Sequence, residues 1–88
     1  MRFHLSGQML RFVDYDREVE IRAATLEEAL RELAERHPRL KAVLFDNTGK
    51  VRRAHRIRLN GEVLTEPAGN LPLADDDCIG FLTAIAGG

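Results

Sequence analysis

The sequence lacks most of what a self-contained enzyme would need. Its single cysteine, Cys78, excludes an internal disulfide. It has no Gly-rich phosphate-binding motif, and His4, His37 and His55 are too far apart to show paired metal-ligand spacing. Residues 75–77 are consecutive aspartates, which suit a polar turn better than the spaced oxygens of a calcium loop. We therefore expect no catalytic residue, no metal and no bound cofactor, and we predict that the chain is not an enzyme.

A strong net charge and long apolar runs are also missing. The 13 Lys and Arg residues are balanced by 14 Asp and Glu residues, so the formal net charge of -1 provides no overall basic field for nucleic acid. Residues 1–4 begin a polar and apolar alternation, whereas a signal peptide requires an unbroken apolar stretch. We expect a cytoplasmic protein with neither a nucleic-acid nor a membrane partner.

What is present fits one small folded domain. A chain of 88 residues can bury only one modest core, and 44% hydrophobic with 31% charged residues is typical of globular proteins. Cys78 lies in an apolar run, which predicts a small core residue rather than a nucleophile. The sequence therefore predicts a single domain with one core.

The N-terminal quarter alternates between polar and apolar residues, which is the pattern of strands. Residues 2–5 begin a strand that an apolar segment prolongs to Val13 after a break at Gly7. The alternation resumes over residues 18–23, and the polar residues 14–17 connect the two segments. This pattern predicts a first hairpin.

An amphipathic helix is predicted next, because the apolar residues of the segment 26–34 recur at helical spacing. Thr25 precedes this stripe and Glu28 follows three residues later, which predicts a capping box. Pro38 is expected to end the helix. The apolar residues of the segment 40–44 are compatible with a short second helix.

The second half of the chain predicts a second hairpin and a final strand. Alternation over residues 56–59, the turn signal Asn60-Gly61 and the short segment 62–64 form the hairpin. Residues 65–73 contain two prolines and are expected to be irregular, before a last strand over residues 78–83. Two hairpins around one helix give an α+β fold of the β-grasp type, in which the first and last strands lie side by side in a mixed sheet.

The sequence ends on Gly87 and Gly88, directly behind the last predicted strand. Two glycines provide no packing and cost folding entropy, so we expect this terminus to be functional. Together with the segments IRLNGEVL and LPLADDDCIGFLTAIAGG, the order of elements resembles the ubiquitin-like sulfur-carrier family of the ThiS and MoaD type. That family includes the thiamin sulfur carrier and the small subunit of molybdopterin synthase.

The departures from the family pattern concern the subfamily. The family often has Asp-Gly-Asp where this chain has Asp75-Asp76-Asp77, and prolines where it has Thr83-Ala84. The long connection over residues 39–55 is more similar to carriers of thiocarboxylate-dependent cysteine biosynthesis, or to the longer molybdopterin-type members, than to the compact thiamin carrier.

The resemblance implies a function in sulfur transfer. A ubiquitin-activating-like adenylyltransferase would use ATP to adenylate the carboxylate of Gly88, and a sulfur donor would convert it to a thiocarboxylate. A sulfur-accepting biosynthetic enzyme would then consume it to make cysteine, a cofactor or a secondary metabolite. Gly87 would give access to the activating enzyme. The free carrier is expected to be a monomer.

Three alternatives remain open from the sequence. The chain could be the small subunit of molybdopterin synthase, a ubiquitin-like modifier joined to lysine, or a β-grasp binding module with an idle tail. The neighbouring gene would discriminate between pathways, since a cysteine-synthase-like enzyme, a molybdopterin synthase large subunit and a natural-product cluster each point to a different acceptor.

The domain is predicted to span residues 1–83, followed by a flexible tail over residues 84–88. The tail extends at most about 17 Å, and with so few side chains it needs a docking surface around its root. Leu59, Phe81 and Ile85 are the candidates for apolar docking, although alternation favours core positions for the first two. The basic segment 50–58 lacks interleaved aromatic residues, which favours a solvated strand face or a patch for an acidic partner over nucleic-acid binding.

Overall fold

The computed structural model describes residues 1–52, 55–65 and 67–83, and the predicted tail lies outside these ranges. The strands form one mixed sheet in the order β2-β1-β5-β3-β4, in which only the β1–β5 pairing is parallel. The first and last strands therefore lie side by side, as the sequence predicts. The elements in chain order are β1 (Arg2–His4), a 3-10 helix (Gly7–Phe12), β2 (Glu18–Glu20), α1 (Leu26–Arg36), α2 (Pro38–Leu44), β3 (His55–Leu59), β4 (Glu62–Val63) and β5 (Cys78–Thr83).

One face of the sheet, called the inner face, is buried against the helices. Phe3 of β1 and Ile79 of β5 are register partners on this face, and both are fully buried. Leu33 of α1 and Leu40 of α2 are equally buried in the same cluster. Because this cluster holds the sheet against both helices, one core fixes the relative position of all the elements.

Helix α1 begins and ends where the sequence predicts. The Thr25 hydroxyl accepts a hydrogen bond from the Glu28 amide at 3.3 Å, and the Glu28 carboxylate accepts one from the Thr25 amide at 3.2 Å, which forms the predicted capping box. Pro38 ends α1 and also occupies the first turn of α2, where its missing N–H leaves no helical hydrogen bond unmade. The second helix is thereby confirmed.

The segment after Gly7 is the main difference from the sequence prediction. Residues 7–12 form a 3-10 helix, so the prediction that they prolong the first strand is wrong. The backbone turns at Gly7, where φ is +61°, and Met9 and Val13 reach the core from a helical turn instead of a strand. Non-alternating apolar residues can be buried in either conformation, so their pattern did not decide between them.

The second hairpin is confirmed, with Asn60 and Gly61 at its turn. Both residues have positive φ, +52° and +87°, as a two-residue turn of this twist requires. The amide of Leu64 donates to the Ile57 carbonyl at 2.9 Å and closes the hairpin. The turn therefore fixes the register between β3 and β4.

The described part of the irregular segment before β5 lies along the start of α1. The amides of Leu26 and Glu27 donate to the carbonyls of Leu71 and Gly69 at 2.9 and 2.8 Å. These hydrogen bonds satisfy amides at the helix start that have no partner inside the helix. In the described ranges, no helix is long and apolar enough to cross a membrane.

Candidate functional site

The centre of the candidate site is β5, since this strand leads to the predicted tail. Residues 78–80 of this strand pair with β1 and residues 79–83 pair with β3, so its last described residue, Thr83, is held in the sheet by the β3 ladder, opposite His55. Gly87, Gly88 and Ile85 lie outside the described residues, and their roles stay predictions. The point from which the tail begins is nevertheless fixed relative to the whole sheet.

Leu59 and Phe81 both lie on the inner face. The ring of Phe81 stacks on the ring of Phe3, with 5.8 Å between centroids and 6° between planes. Leu59 is the register partner of Ile79, and both Leu59 and Phe81 are partly buried against the core. Their favoured placement in the core is confirmed, while a contact with a partner protein stays a prediction.

The opposite side of the sheet, called the outer face, carries a different set of side chains. Alternation along β5 points Leu82 away from the core, and its side chain is 45% exposed. Val63 of β4 lies on the same face and is 41% exposed. The sequence analysis missed both residues, although Leu82 could have been found because it follows the inward Phe81 by one position.

Cys78 is partly buried on the outer face and is not part of the core cluster, so the prediction of a core position is wrong. It is the register partner of Arg2 on the outer face, while the next residue, Ile79, takes the fully buried inner position. A period of two residues allows only one of these neighbours to face the core.

The basic segment does not form one compact patch. Lys50 and Arg52 are exposed beyond α2, where the Arg52 guanidinium donates to the Ala42 carbonyl at 3.4 Å. Arg56 and Arg58 instead lie on the outer face, opposite Leu82 and Gly80 of β5. Of the described Lys and Arg residues of the basic segment, only Arg56 and Arg58 therefore lie near the end of β5, next to Leu82 and Gly80.

The aspartates before β5 form the predicted polar turn. The Asp77 carboxylate accepts hydrogen bonds from the Ala74 amide at 2.7 Å and from Asn60 Nδ2 at 3.0 Å. The backbone donor first, and then the Asn60 amide, hold the pKa of Asp77 below its usual range. Within the described ranges, no three His, Cys, Asp or Glu side chains are grouped in a way that could hold a metal.

Two open grooves lie between β2 and α1, away from the root of the tail. Charged side chains dominate their lining, among them Arg22, Glu28, Glu32 and Arg36. Arg36 also donates to the Glu20 carbonyl at 2.8 Å and so occupies an acceptor on the exposed edge of β2. This lining differs from the mostly apolar lining of typical small-molecule sites.

Comparison with known proteins assigns the chain to a family. The ThiS family matches over residues 4–88, a range that includes both terminal glycines. No curated protein sequence matches the chain.

Solved structures share the fold over almost the entire chain. SAMP1 from Haloferax volcanii aligns with a TM-score of 0.83 at 23% identity, over 99% of this chain and 97% of that one. A chain of the Amycolatopsis orientalis BexX/CysO complex gives 0.82 at 25%, over 99% and 98%. A chain of the complex of subunits 1 and 2 of the molybdopterin-converting factor from Helicobacter pylori 26695 gives 0.64 at 25%, over 99% and 96%.

These similarities agree with the architecture described above. A five-stranded mixed sheet with a parallel central pair packs on α1, and the structural neighbours share this ubiquitin-like β-grasp fold. The family match extends over nearly every residue. The chain therefore belongs to the ThiS family of small ubiquitin-like carrier proteins.

Proposed function

We propose that this protein is a sulfur carrier whose Gly88 carboxylate becomes a thiocarboxylate. The observation that carries the proposal is the family match, which runs through Gly88 and covers the glycines behind β5. The pairing of Thr83 with His55 of β3 supports it, because a strand end that is held in the sheet can present a short tail to a partner at a defined position.

The proposed chemistry takes place at the end of the chain, in the active site of a partner. A carboxylate oxygen of Gly88 attacks the α-phosphorus of ATP, and pyrophosphate leaves. A sulfide-level donor then attacks the carbonyl carbon of the acyl adenylate, AMP leaves, and the product loses its proton to become a thiocarboxylate. Because Gly87 and Gly88 have no Cβ, the backbone can enter a site too narrow for other residues.

A sulfur-accepting enzyme would consume the thiocarboxylate and return the carboxylate for another cycle. The carrier must therefore leave each partner after use, which requires a modest docking surface. The large hydrophobic side chains that are exposed in the described ranges are Tyr15, Val63 and Leu82. So few exposed apolar residues favour a reversible carrier that is monomeric when free.

A permanent small subunit of molybdopterin synthase is the second candidate function. Its support is the similarity to the molybdopterin-converting factor complex at 25% identity. A permanent subunit is expected to expose a larger apolar patch when it is alone. Purification from native extract distinguishes the two, since equal amounts of a single large subunit would favour this alternative.

Reconstitution tests the proposed function. The purified protein is incubated with the ubiquitin-activating-like adenylyltransferase of the same genome, ATP and sulfide, and its intact mass is measured. We expect an increase equal to the difference between one sulfur and one oxygen atom. A variant without Gly88 should stay unmodified while its circular dichroism spectrum is unchanged. An unmodified wild-type protein with several active adenylyltransferases would overturn the proposal.

A further inference from the structure

The outer face carries arginines that lack carboxylate partners. Arg56 and Arg58 of β3 are both on this face, as their register partners on β5 show, whereas Arg2 of β1 lies there opposite Glu20 of β2. In the part of the chain that the structure describes, the ion pairs are Glu27–Arg31 and Glu32–Arg36, and all four of these residues belong to α1. The charges of Arg56 and Arg58 are therefore available to another molecule, although the chain as a whole has a net charge of -1.

Arg58 has the most unusual surroundings of these arginines. It lies across the strand from Gly80, and a Cβ built on that glycine would be 3.9 Å from both Nε and Nη2 of Arg58. Gly80 is buried even though it faces outward, because the guanidinium group lies over it. The arginine side chain thus rests against the sheet over Gly80, at an ordinary contact distance from the position of a Cβ.

The resting position leaves one donor of Arg58 unsatisfied. Its Nε atom is buried and has no hydrogen-bond partner within the described ranges. A buried N–H without an acceptor is unfavourable, and the cost is removed when the group meets an acceptor. An incoming carboxylate could draw the guanidinium off Gly80 and accept hydrogen bonds from two of its nitrogens, which is the geometry that arginine and carboxylate prefer.

Apolar side chains stand next to both arginines of β3. Leu82 is the register partner of Arg56, and Val63 is the register partner of Arg58. These are two of the three large hydrophobic residues that are exposed in the described ranges. Arginine beside apolar side chains is typical of protein interfaces. The aromatic rings of Phe3 and Phe81 lie on the inner face, so they cannot stack nucleic-acid bases here.

We propose that Arg56, Arg58, Val63 and Leu82 form a docking surface for an acidic protein surface with apolar residues at its centre, and that Arg58 is its specificity-determining anchor. This inference rests on the proposed function for the identity of the partner, which is the activating adenylyltransferase. The charge of the unpaired arginines selects an acidic partner, and Leu82 is one residue from the end of β5. Docking here therefore places the root of the tail at the edge of the interface.

The direct test measures binding of the full chain to the purified adenylyltransferase of the same genome by calorimetry. Arg58→Glu is expected to weaken binding by about tenfold or more, because it replaces attraction by repulsion at the anchor. Arg11→Glu is the matched control, since Arg11 is exposed on the 3-10 helix and the change in net charge is identical. The control should stay within about twofold of wild type.

Two further measurements separate a docking role from a structural one. Thermal unfolding of Arg58→Glu should match that of wild type, and Arg58→Lys should recover only part of the affinity because lysine lacks the planar fork. In pyrophosphate-exchange assays, Arg58→Glu should raise the KM for the carrier and leave kcat unchanged. A folded Arg58→Glu variant with wild-type affinity would overturn the docking proposal.

The outcomes distinguish this inference from the proposed function. Binding that depends on Arg58, without any thiocarboxylate formation, would support the docking surface and contradict the carrier chemistry. Thiocarboxylate formation that is insensitive to Arg58→Glu would support the carrier chemistry and contradict the docking surface. Tight binding of a fluorescein-labelled single-stranded RNA, abolished by Arg58→Glu, together with no binding of the enzyme would replace the protein partner by nucleic acid and overturn the proposal.

Discussion

Asn60 and Asp77 join the turn of the second hairpin to the start of β5. Asn60 Nδ2 donates to the Asp77 carboxylate at 3.0 Å, while Asn60 Oδ1 accepts from the Cys78 amide at 2.9 Å. The backbone N–H of Asn60 also donates to the Cys78 carbonyl at 2.8 Å. These hydrogen bonds form a polar link that anchors β5 at its first residue, which is the end of the strand away from the tail.

The link makes stability depend on pH. Hydrogen bonds from Ala74 and Asn60 hold the pKa of Asp77 below its usual range, so the folded state keeps this carboxylate ionised at a pH where the unfolded chain binds a proton. Its stabilising effect is present at neutral pH and is lost as the pH falls through the folded-state pKa. Asp77→Asn should lower the melting temperature at neutral pH and have no effect in strong acid.

Asp75→Asn is the control for this prediction, because it removes the same charge from an exposed position of the same turn. Its melting temperature should stay close to that of wild type. An equal effect of the two substitutions at every pH would contradict the role of the Asn60–Asp77 link.

Gly80→Ala tests the position of the Arg58 side chain over β5. The glycine does not have positive φ, and a Cβ would meet His4 and Arg58 at ordinary contact distances of 3.7 and 3.9 Å. Since glycine weakens a strand, we expect urea unfolding to show a gain of up to about 1 kcal/mol. At Gly61, where φ is +87°, the same substitution should destabilise by about 1 kcal/mol. A large loss at Gly80 would contradict this placement of the Arg58 side chain.

Phe81→Ala and Leu82→Ala separate the two faces of β5. Removal of the Phe81 ring takes away its stacking on Phe3 and should cost about 2–4 kcal/mol of unfolding free energy. Leu82 is 45% exposed, so its removal should change stability by less than about 0.5 kcal/mol. Leu82→Ala should nevertheless weaken binding to the adenylyltransferase. Comparable destabilisation by both substitutions would contradict the assignment of faces.

Thr25→Ala tests the capping box at the start of α1. The variant loses the side-chain acceptor of the Glu28 amide and should lose about 1 kcal/mol of stability in denaturant unfolding. Glu27→Gln, which breaks only the exposed pair with Arg31, should cost no more than a few tenths of a kcal/mol. A smaller effect of Thr25→Ala than of Glu27→Gln would contradict this account of the helix start.

The elements that were predicted correctly are determined by signals between residues close together in the sequence. The Thr25–Glu28 cap, the Pro38 boundary and the Asn60-Gly61 turn each depend on residues within a few positions of one another. The apolar residues after Gly7 gave no such local signal, because burial of Met9 and Val13 is satisfied equally by a strand and by a 3-10 helix. Tertiary packing decided between them.

The candidate site was only partly predictable for the same reason. The terminal glycines are visible in the sequence, whereas the seat of Arg58 over Gly80 depends on the register between β3 and β5. These residues are 22 positions apart, and no sequence pattern predicts the register that pairs Arg58 with Gly80. The outer-face position of Cys78 likewise follows from the inward position of Ile79, which pairing with β1 fixes, whereas that of Leu82 could be found from the alternation along β5.

The most direct test of the central claim is the intact mass of the endogenous protein in cell extract, together with mapping of its last residue. The account predicts two forms, a free acid and a thiocarboxylate at Gly88, that differ by the replacement of one oxygen by one sulfur atom, and no ladder of lysine conjugates. Gly88 joined to lysines of many proteins, with no thiocarboxylate form, would contradict the carrier function and identify a modifier instead.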